Sequence, residues 1–221
     1  MSQPSTPRQI LLTGFEPFGG ETANPSQLIA IELSGRVIAG RTVVSVILPC
    51  VYGESLKALQ TAIRTHDPEL VICLGQAGGR MGLTLERIAI NVDDAGIPDN
   101  AAQRPIDRPI VKSGPAAYWS TLPIKAMTRA IAMAGIEASV SQTAGTFVCN
   151  HVFYGLMRSL KRRPGVRGGF IHVPFLPEQS ERQGRSAPFM ILPQMVRGIE
   201  VAIETALRVS DDVQLTGGAT H

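Results

Sequence analysis

The chemistry in this chain gathers where a lone cysteine follows a turn of small residues. The stretch from Thr143 to Gly155 reads TAGTFVCNHVFYG, and Cys149 opens its apolar, helix-like run. A cysteine at the amino end of a helix has free backbone N–H groups around it and the positive end of the helix dipole beneath it, and both favour thiolate over thiol. The same N–H groups can hold an oxyanion. The plain alternative is a buried thiol that packs as a small hydrophobe. The choice between the two turns on partners.

A thiol nucleophile needs a base, and the histidines are His66, His151, His172 and His221. His221 ends the chain and His66 sits at a helix end beside Asp67-Pro68. His151 is two residues from Cys149, but positions two apart on a helix point to different sides, so it reads as a packing or surface histidine. His172 lies on a different predicted strand, distant in sequence, and is the expected base and general acid. An orienting carboxylate should fix its tautomer. Glu86, Asp93 and Asp94 all fall in the right region, and spacing alone does not rank them.

The elements that must position these groups read as an α/β alternation. Gln9 to Thr13 is a short buried strand ending in the loop GFEPFGGETANPS, and a helix follows with Ser26 as N-cap and Gly35 as its stop. Thr42 to Leu48 is a β-branched strand, Glu54 to Thr65 an amphipathic helix, and Leu70 to Leu74 a third apolar strand. Apolar strands alternating with helices imply a mainly parallel sheet covered on both faces. Residues 75 to 115 interrupt the pattern with glycines, prolines and short β-like pieces, a length that is usually functional or disordered in a compact domain. A helix from Pro123 to Ala134, a strand from Ala138 to Ser141, the cysteine helix through about Lys161, a strand from Gly169 to Val173 and a helix from Pro193 to Arg208 complete the order. Residues 9–209 are expected to form a single catalytic domain, with 1–8 and 210–221 as flexible tails. Ligand sites of open parallel sheets lie at the carboxyl ends of the strands. The FEPFGG loop, the GQAGGR loop, the cysteine loop and His172 are all expected there.

Composition excludes several classes. With 221 residues and 44% hydrophobic content the chain suits one sizeable soluble core, and no apolar run approaches the length of a membrane span. The amino-terminal MSQPSTPRQ is polar rather than a signal peptide, so a cytoplasmic location is expected. Cys50, Cys73 and Cys149 are widely spaced without a CxxC pair, which argues against a zinc site and a disulfide framework. A net charge of +3 is too small to imply nucleic acid. The cluster Lys161, Arg162, Arg163 and Arg167 reads as a solvated helix end. The glycine-rich loops match neither GxGxxG nor GxxxxGK[ST], so a nucleotide site is weakly supported.

Taken together, GFEPFGGETANPS, GQAGGR followed by ERIAIN, IPDN, AAYWSTLPIK, SQTAGTFVCNHVFYGLM and GGFIHVPFLPEQ resemble the pyroglutamyl peptidase I (pyrrolidone carboxyl peptidase) family of cysteine peptidases, from about Ile10 to beyond Arg197. The resemblance implies an α/β/α sandwich with a mainly parallel twisted sheet and an antiparallel β excursion, often assembled as a homotetramer. It implies a Cys149, His172 and Glu86 triad, and so selects among the three carboxylates. The implied activity is hydrolysis of an amino-terminal pyroglutamyl residue from peptides through a thioester, with no cofactor and no metal. The implied substrate pocket is Phe15, Phe18, Asn24, Gln76, Ile97, Phe147 and Val148. Pyroglutamate is a flat neutral lactam with one donor and one acceptor, so ring faces at Phe15 and Phe18 and the amide of Gln76 suit it, with Asn24 bracing the loop. One departure stands out: many relatives carry arginine where this chain has Gly96, and Arg80 and Arg87 are the nearby cations. The rival functions are a non-catalytic small-ligand-binding protein, and a thiol amidase or acyltransferase acting on another small acyl group.

Overall fold

The computed structural model describes residues 9–182 and 187–218. Residues 1–8 and 219–221, including His221, lie outside the described residues. In chain order the elements are β1 (Gln9–Phe15), α1 (Pro25–Leu33), β2 (Val37–Ile38), β3 (Arg41–Leu48), α2 (Glu54–His66), β4 (Leu70–Gln76), β5 (Leu83–Glu86), β6 (Ile88–Ile90), β7 (Ala117–Trp119), α3 (Ile124–Met133), β8 (Ala138–Ser141), α4 (Val148–Leu160), β9 (Arg167–Val173), α5 (Pro177–Arg182) and α6 (Leu192–Arg208).

Among the described residues the main sheet has seven strands in the order β2-β3-β1-β4-β9-β5-β8, and β6 and β7 form a small separate pair. Strands β3, β1, β4 and β9 run parallel, which their continuous apolar runs require once both faces are covered. Period-two alternation divides their side chains between two layers. Ile10, Leu12, Ile72, Leu74, Ile171 and Val173 pack with α1, α3 and α6. Leu11, Phe15, Val71, Cys73 and Phe170 pack with α2 and α4. This is the α/β/α sandwich with a mainly parallel sheet.

The structure corrects the sequence reading in three places. Strand β5 comes from the excursion and pairs antiparallel with β9, with β8 parallel to β5. The cysteine loop therefore leaves the sheet from a strand that runs against β4 and β9, and residues 142–147 must climb back before α4 begins. Second, α1 is capped by Asn24, whose side-chain oxygen accepts from the N–H of Ser26; the Ser26 hydroxyl accepts from the N–H of Phe15 instead. A side chain that satisfies β1 and the loop together outcompetes the local serine cap. Third, within the expected tail, residues 212 and 217 are tied to the fold. The Asp212 carboxylate accepts from the N–H groups of Lys125 and Ala126, capping α3, and the Gly217 carbonyl accepts from Arg87 and Gln142. These are contacts across the fold, which composition does not encode.

Candidate functional site

The α2/α4 face of the sheet carries the site because strand alternation puts the right residues there. Thr84 lies opposite His172 in the β5/β9 register, and Glu86, two residues on, projects to the same face. Glu86 Oε1 is 2.7 Å from His172 Nδ1, and both side chains are almost wholly buried. With Nδ1–H directed at the carboxylate, Nε2 is the nitrogen able to take a proton.

Cys149 is the second residue of α4, and among the described residues no side chain caps this helix end. The first intrahelical bond is His151 N–H to the Phe147 carbonyl, and among the described residues the N–H groups of Val148, Cys149 and Asn150 have no acceptor. Gly75 is the register partner of His172 on β4, and a Cβ built on Gly75 would lie only 2.7 Å from Cys149 Sγ. Adjacent strands are about 4.8 Å apart. The thiol therefore rests on bare backbone beside the imidazole, an approach that any side chain at position 75 would block.

Two side chains hold the start of α4 against the former excursion. Asn150 bonds the Ile90 N–H and the Ile90 and Val92 carbonyls, all at 2.9 to 3.0 Å. His151 Nδ1 is 2.9 Å from Asp93 Oδ2, and its Nε2 accepts from the Gly53 N–H at 3.2 Å. His151 is thus a buried packing histidine with both nitrogens engaged, and Asp93 serves it and not His172. Asp94 is exposed and meets Thr146 through backbone bonds.

Burial opposes the thiolate that a helix end favours. Burial pushes the Cys149 thiol up, the neighbouring Cys50, Glu86 and Cys73 add to this, and Arg80 opposes it. Burial lowers His172 from 6.5; its bond and charge interaction with Glu86 raise it, and Arg80 lowers it further. Burial thus works against charge on both groups, pushing the thiol and the imidazole each toward its neutral form.

Aromatic rings gather in the same layer as the thiol. Phe18 lies 5.9 Å from Phe147 between ring centroids, and Tyr52 meets Phe147 edge-on at 5.6 Å. Phe15 is buried against Phe170, which in turn leans on His172 at 4.9 Å. Ile97 is 45% exposed and faces Gly19 of the FEPFGG loop. Asn24 is buried, donates to the Glu16 carbonyl and caps α1, a brace rather than a wall. Val148 is fully buried in the α4 core. The carbonyl of Gln76 accepts from Gln179 Nε2 at 2.9 Å, and β4 alternation turns its side chain to the layer opposite Gly75 and the thiol.

Sequence reasoning left out Tyr52, Phe170, Gln179 and the contacts of Arg80. Arg80 donates to Glu86, whereas Arg87 reaches Gln142 and Gly217, away from the histidine. At Gly96 a Cβ would meet nothing, and the guanidinium of Arg104 lies against the Ala95 and Gly96 carbonyls. A cation does reach this position, from eight residues further along.

Comparison with known proteins identifies the family. The family model described as pyroglutamyl peptidase matches residues 8–209. The pyrrolidone-carboxylate peptidase of Klebsiella pneumoniae (strain 342) is 57% identical over 96% of this chain and 99% of its own. Among solved structures, pyroglutamyl peptidase I from Bacillus amyloliquefaciens superposes with a TM-score of 0.92 at 47% identity, covering 96% of this chain and 100% of that one. Pyrrolidone carboxyl peptidase from Thermococcus litoralis gives 0.91 at 36% identity, covering 95% and 99%.

Proposed function

The chain belongs to the pyroglutamyl peptidase family, and from that premise we propose that Cys149, His172 and Glu86 carry out the removal of amino-terminal pyroglutamyl residues from peptides. The observation that carries the assignment is the 2.7 Å contact between Glu86 and His172 on the strand next to Gly75, over which the Cys149 thiol rests.

His172 Nε2 takes the thiol proton as Sγ adds to the pyroglutamyl carbonyl, and the N–H groups of Val148, Cys149 and Asn150 receive the developing oxyanion. The protonated imidazole then hands its proton to the departing amine, which leaves the pyroglutamyl thioester. Water gives a proton to His172 and attacks the thioester, and the free acid and thiol return. Glu86 holds the Nδ1–H tautomer throughout and balances the transient imidazolium.

The lactam ring sits between the rings of Phe15, Phe18 and Phe147, with Ile97 at its margin, Val148 packed behind it in the α4 core, Asn24 bracing the loop that encloses it and Gln76 supporting it from β4. A prolyl residue lacks the ring carbonyl and leaves a polar partner unpaired, which costs a large discrimination factor. We read residues 9–209 as one catalytic domain and the protein as a cytoplasmic homotetramer. The buried unpaired thiols of Cys50 and Cys73 suit a reducing compartment, and the exposed apolar side chains of Ile97, Ile106, Trp119, Met133 and Phe189 suit subunit contacts. Light scattering tests the assembly.

Release of a fluorescent amine from pyroglutamyl and prolyl amides, with and without a thiol alkylator, tests the activity. Selective, alkylation-sensitive cleavage of the pyroglutamyl compound, absent in Cys149→Ala, is the expected result. Cleavage that survives Cys149→Ala overturns the assignment.

A further inference from the structure

Arg80 ends the GQAGGR loop, between β4 and β5, and its guanidinium joins three segments. Nη1 donates to Glu86 Oε1 at 2.6 Å and to Thr84 Oγ1 at 2.5 Å, and Nη2 donates to the Thr143 carbonyl at 3.0 Å. Glu86 Oε1 thus receives Arg80 and His172 together. Glu86 is fully buried and Arg80 is its one cationic partner among the described residues. Thr143 begins the turn that delivers Cys149 to α4. The carboxylate that orients the base and the loop that carries the thiol are therefore held by one planar fork, a geometry that lysine's single ammonium cannot reproduce.

We propose that Arg80 is a positioning residue for this reaction: it fixes Glu86 against His172 and ties that pair to the Thr143 carbonyl of the nucleophile loop. The inference rests on the reading of Cys149, His172 and Glu86 given above. A permanent cation at this place also acts through its charge. The charged and titratable groups facing His172 and Cys149 are Glu86 of β5, Arg80 before it, Cys50 and Tyr52 after β3, and Cys73 on β4. His151 on α4 is taken up by Asp93 and Gly53. Arg80 alone in this set is positive, and it eases proton loss from both the thiol and the imidazole.

Two variants separate geometry from charge. Arg80→Lys keeps the cation and loses the fork; Arg80→Ala loses both. The lysine variant is expected to lose about 10-fold to 100-fold in kcat, the scale of an ångström-sized misplacement, with KM within threefold and the acid limb of the kcat/KM profile unmoved. The alanine variant is expected to lose more in kcat and to shift that limb to higher pH. An open cleft lined by Arg80, Met81, Thr84, Glu137 and Ser141 leads to the guanidinium from outside. Millimolar guanidinium chloride is therefore expected to restore at least tenfold of the alanine variant's lost kcat.

The pH dependence of Cys149 alkylation, located by mass spectrometry, reads the same coupling without any substrate. It is expected to move to higher pH in Arg80→Ala. If the wild-type protein cleaves no pyroglutamyl amide while its alkylation profile still lies below that of Arg80→Ala in pH, the functional reading is defeated and the coupling stands. A folded lysine variant with kcat within threefold of wild type, or an alanine variant with unmoved alkylation and activity profiles, overturns the proposal.

Discussion

Gly75→Ala is the sharpest single perturbation of this site, because it adds one methyl group at the closest approach between sheet and nucleophile. The new Cβ would lie 2.7 Å from Cys149 Sγ, 2.8 Å from Phe170 Cζ and 3.0 Å from Phe170 Cε1, where ordinary contact begins at 3.4 Å. The sulfur must retreat by about 0.7 Å (3.4 less 2.7), and Phe170, which leans on His172, must give way as well. The thiol and the ring that supports the imidazole are thus both displaced. A misplacement of this order costs about 10²-fold in rate, and overpacking costs about 1–3 kcal/mol of stability. In a chain of this length that is a fall in Tm of roughly 2–12 °C. Gly168→Ala supplies the control: its Cβ would meet Leu160 Cδ1 at 2.7 Å and the Val71 carbonyl at 2.9 Å, in the same layer but at the far end of β9. Steady-state cleavage of a pyroglutamyl fluorogenic amide and a thermal melt are measured for both. Gly75→Ala is expected to lose about 30-fold to 100-fold in kcat/KM, and Gly168→Ala a comparable amount of Tm with kcat within threefold of wild type. A folded Gly75→Ala protein with kcat/KM within threefold of wild type would refute the claim that the thiol depends on bare backbone at this position.

Three further outcomes follow from the geometry. Asn150→Ala strips partners from a buried N–H and two carbonyls of the 88–92 segment, a loss of about 2–4 kcal/mol; differential scanning calorimetry should show Tm lower by roughly 5–15 °C, and an unchanged Tm contradicts the bracing role. Burial holds His172 below 6.5, so the base stays neutral into mildly acid solution, and the acid limb of kcat/KM should fall below pH 6.5. Because the folded-state value is depressed, the unfolded chain binds the proton first, and stability from this group is full above pH 6.5 and declines as pH falls below it; a limb at or above 6.5 contradicts this. Gly96→Arg introduces a side chain where a Cβ meets nothing within 4 Å and the backbone is not left-handed, so Tm should stay within about 2 °C by circular dichroism; a large loss would show that the position is not open.

Much of this protein was legible from local pattern. The mostly apolar runs at 10–12, 43–48, 70–74 and 169–173 specified strands, because stretches of that length and composition suit a sheet covered on both sides. The turn of small residues before Cys149 specified a helix start, and the spacing of His151 from Cys149 excluded it as the base. What the sequence left level was the choice among Glu86, Asp93 and Asp94, since all three lie within nine residues of one excursion. Register decided their geometry: β5 entered the main sheet antiparallel to β9, bringing Glu86 to His172 and sending Asp93 to His151. The path of the cysteine loop, the fork of Arg80, the engagement of Gln76 by Gln179 and the fastening of residues 212 and 217 came from the same source. Each joins residues far apart in the chain or on different segments, and their energy exists only after the sheet has closed. Residue types and periodicity determined which groups were available for thiol chemistry; strand direction and the packing of α4 on Gly75 determined which of them meet.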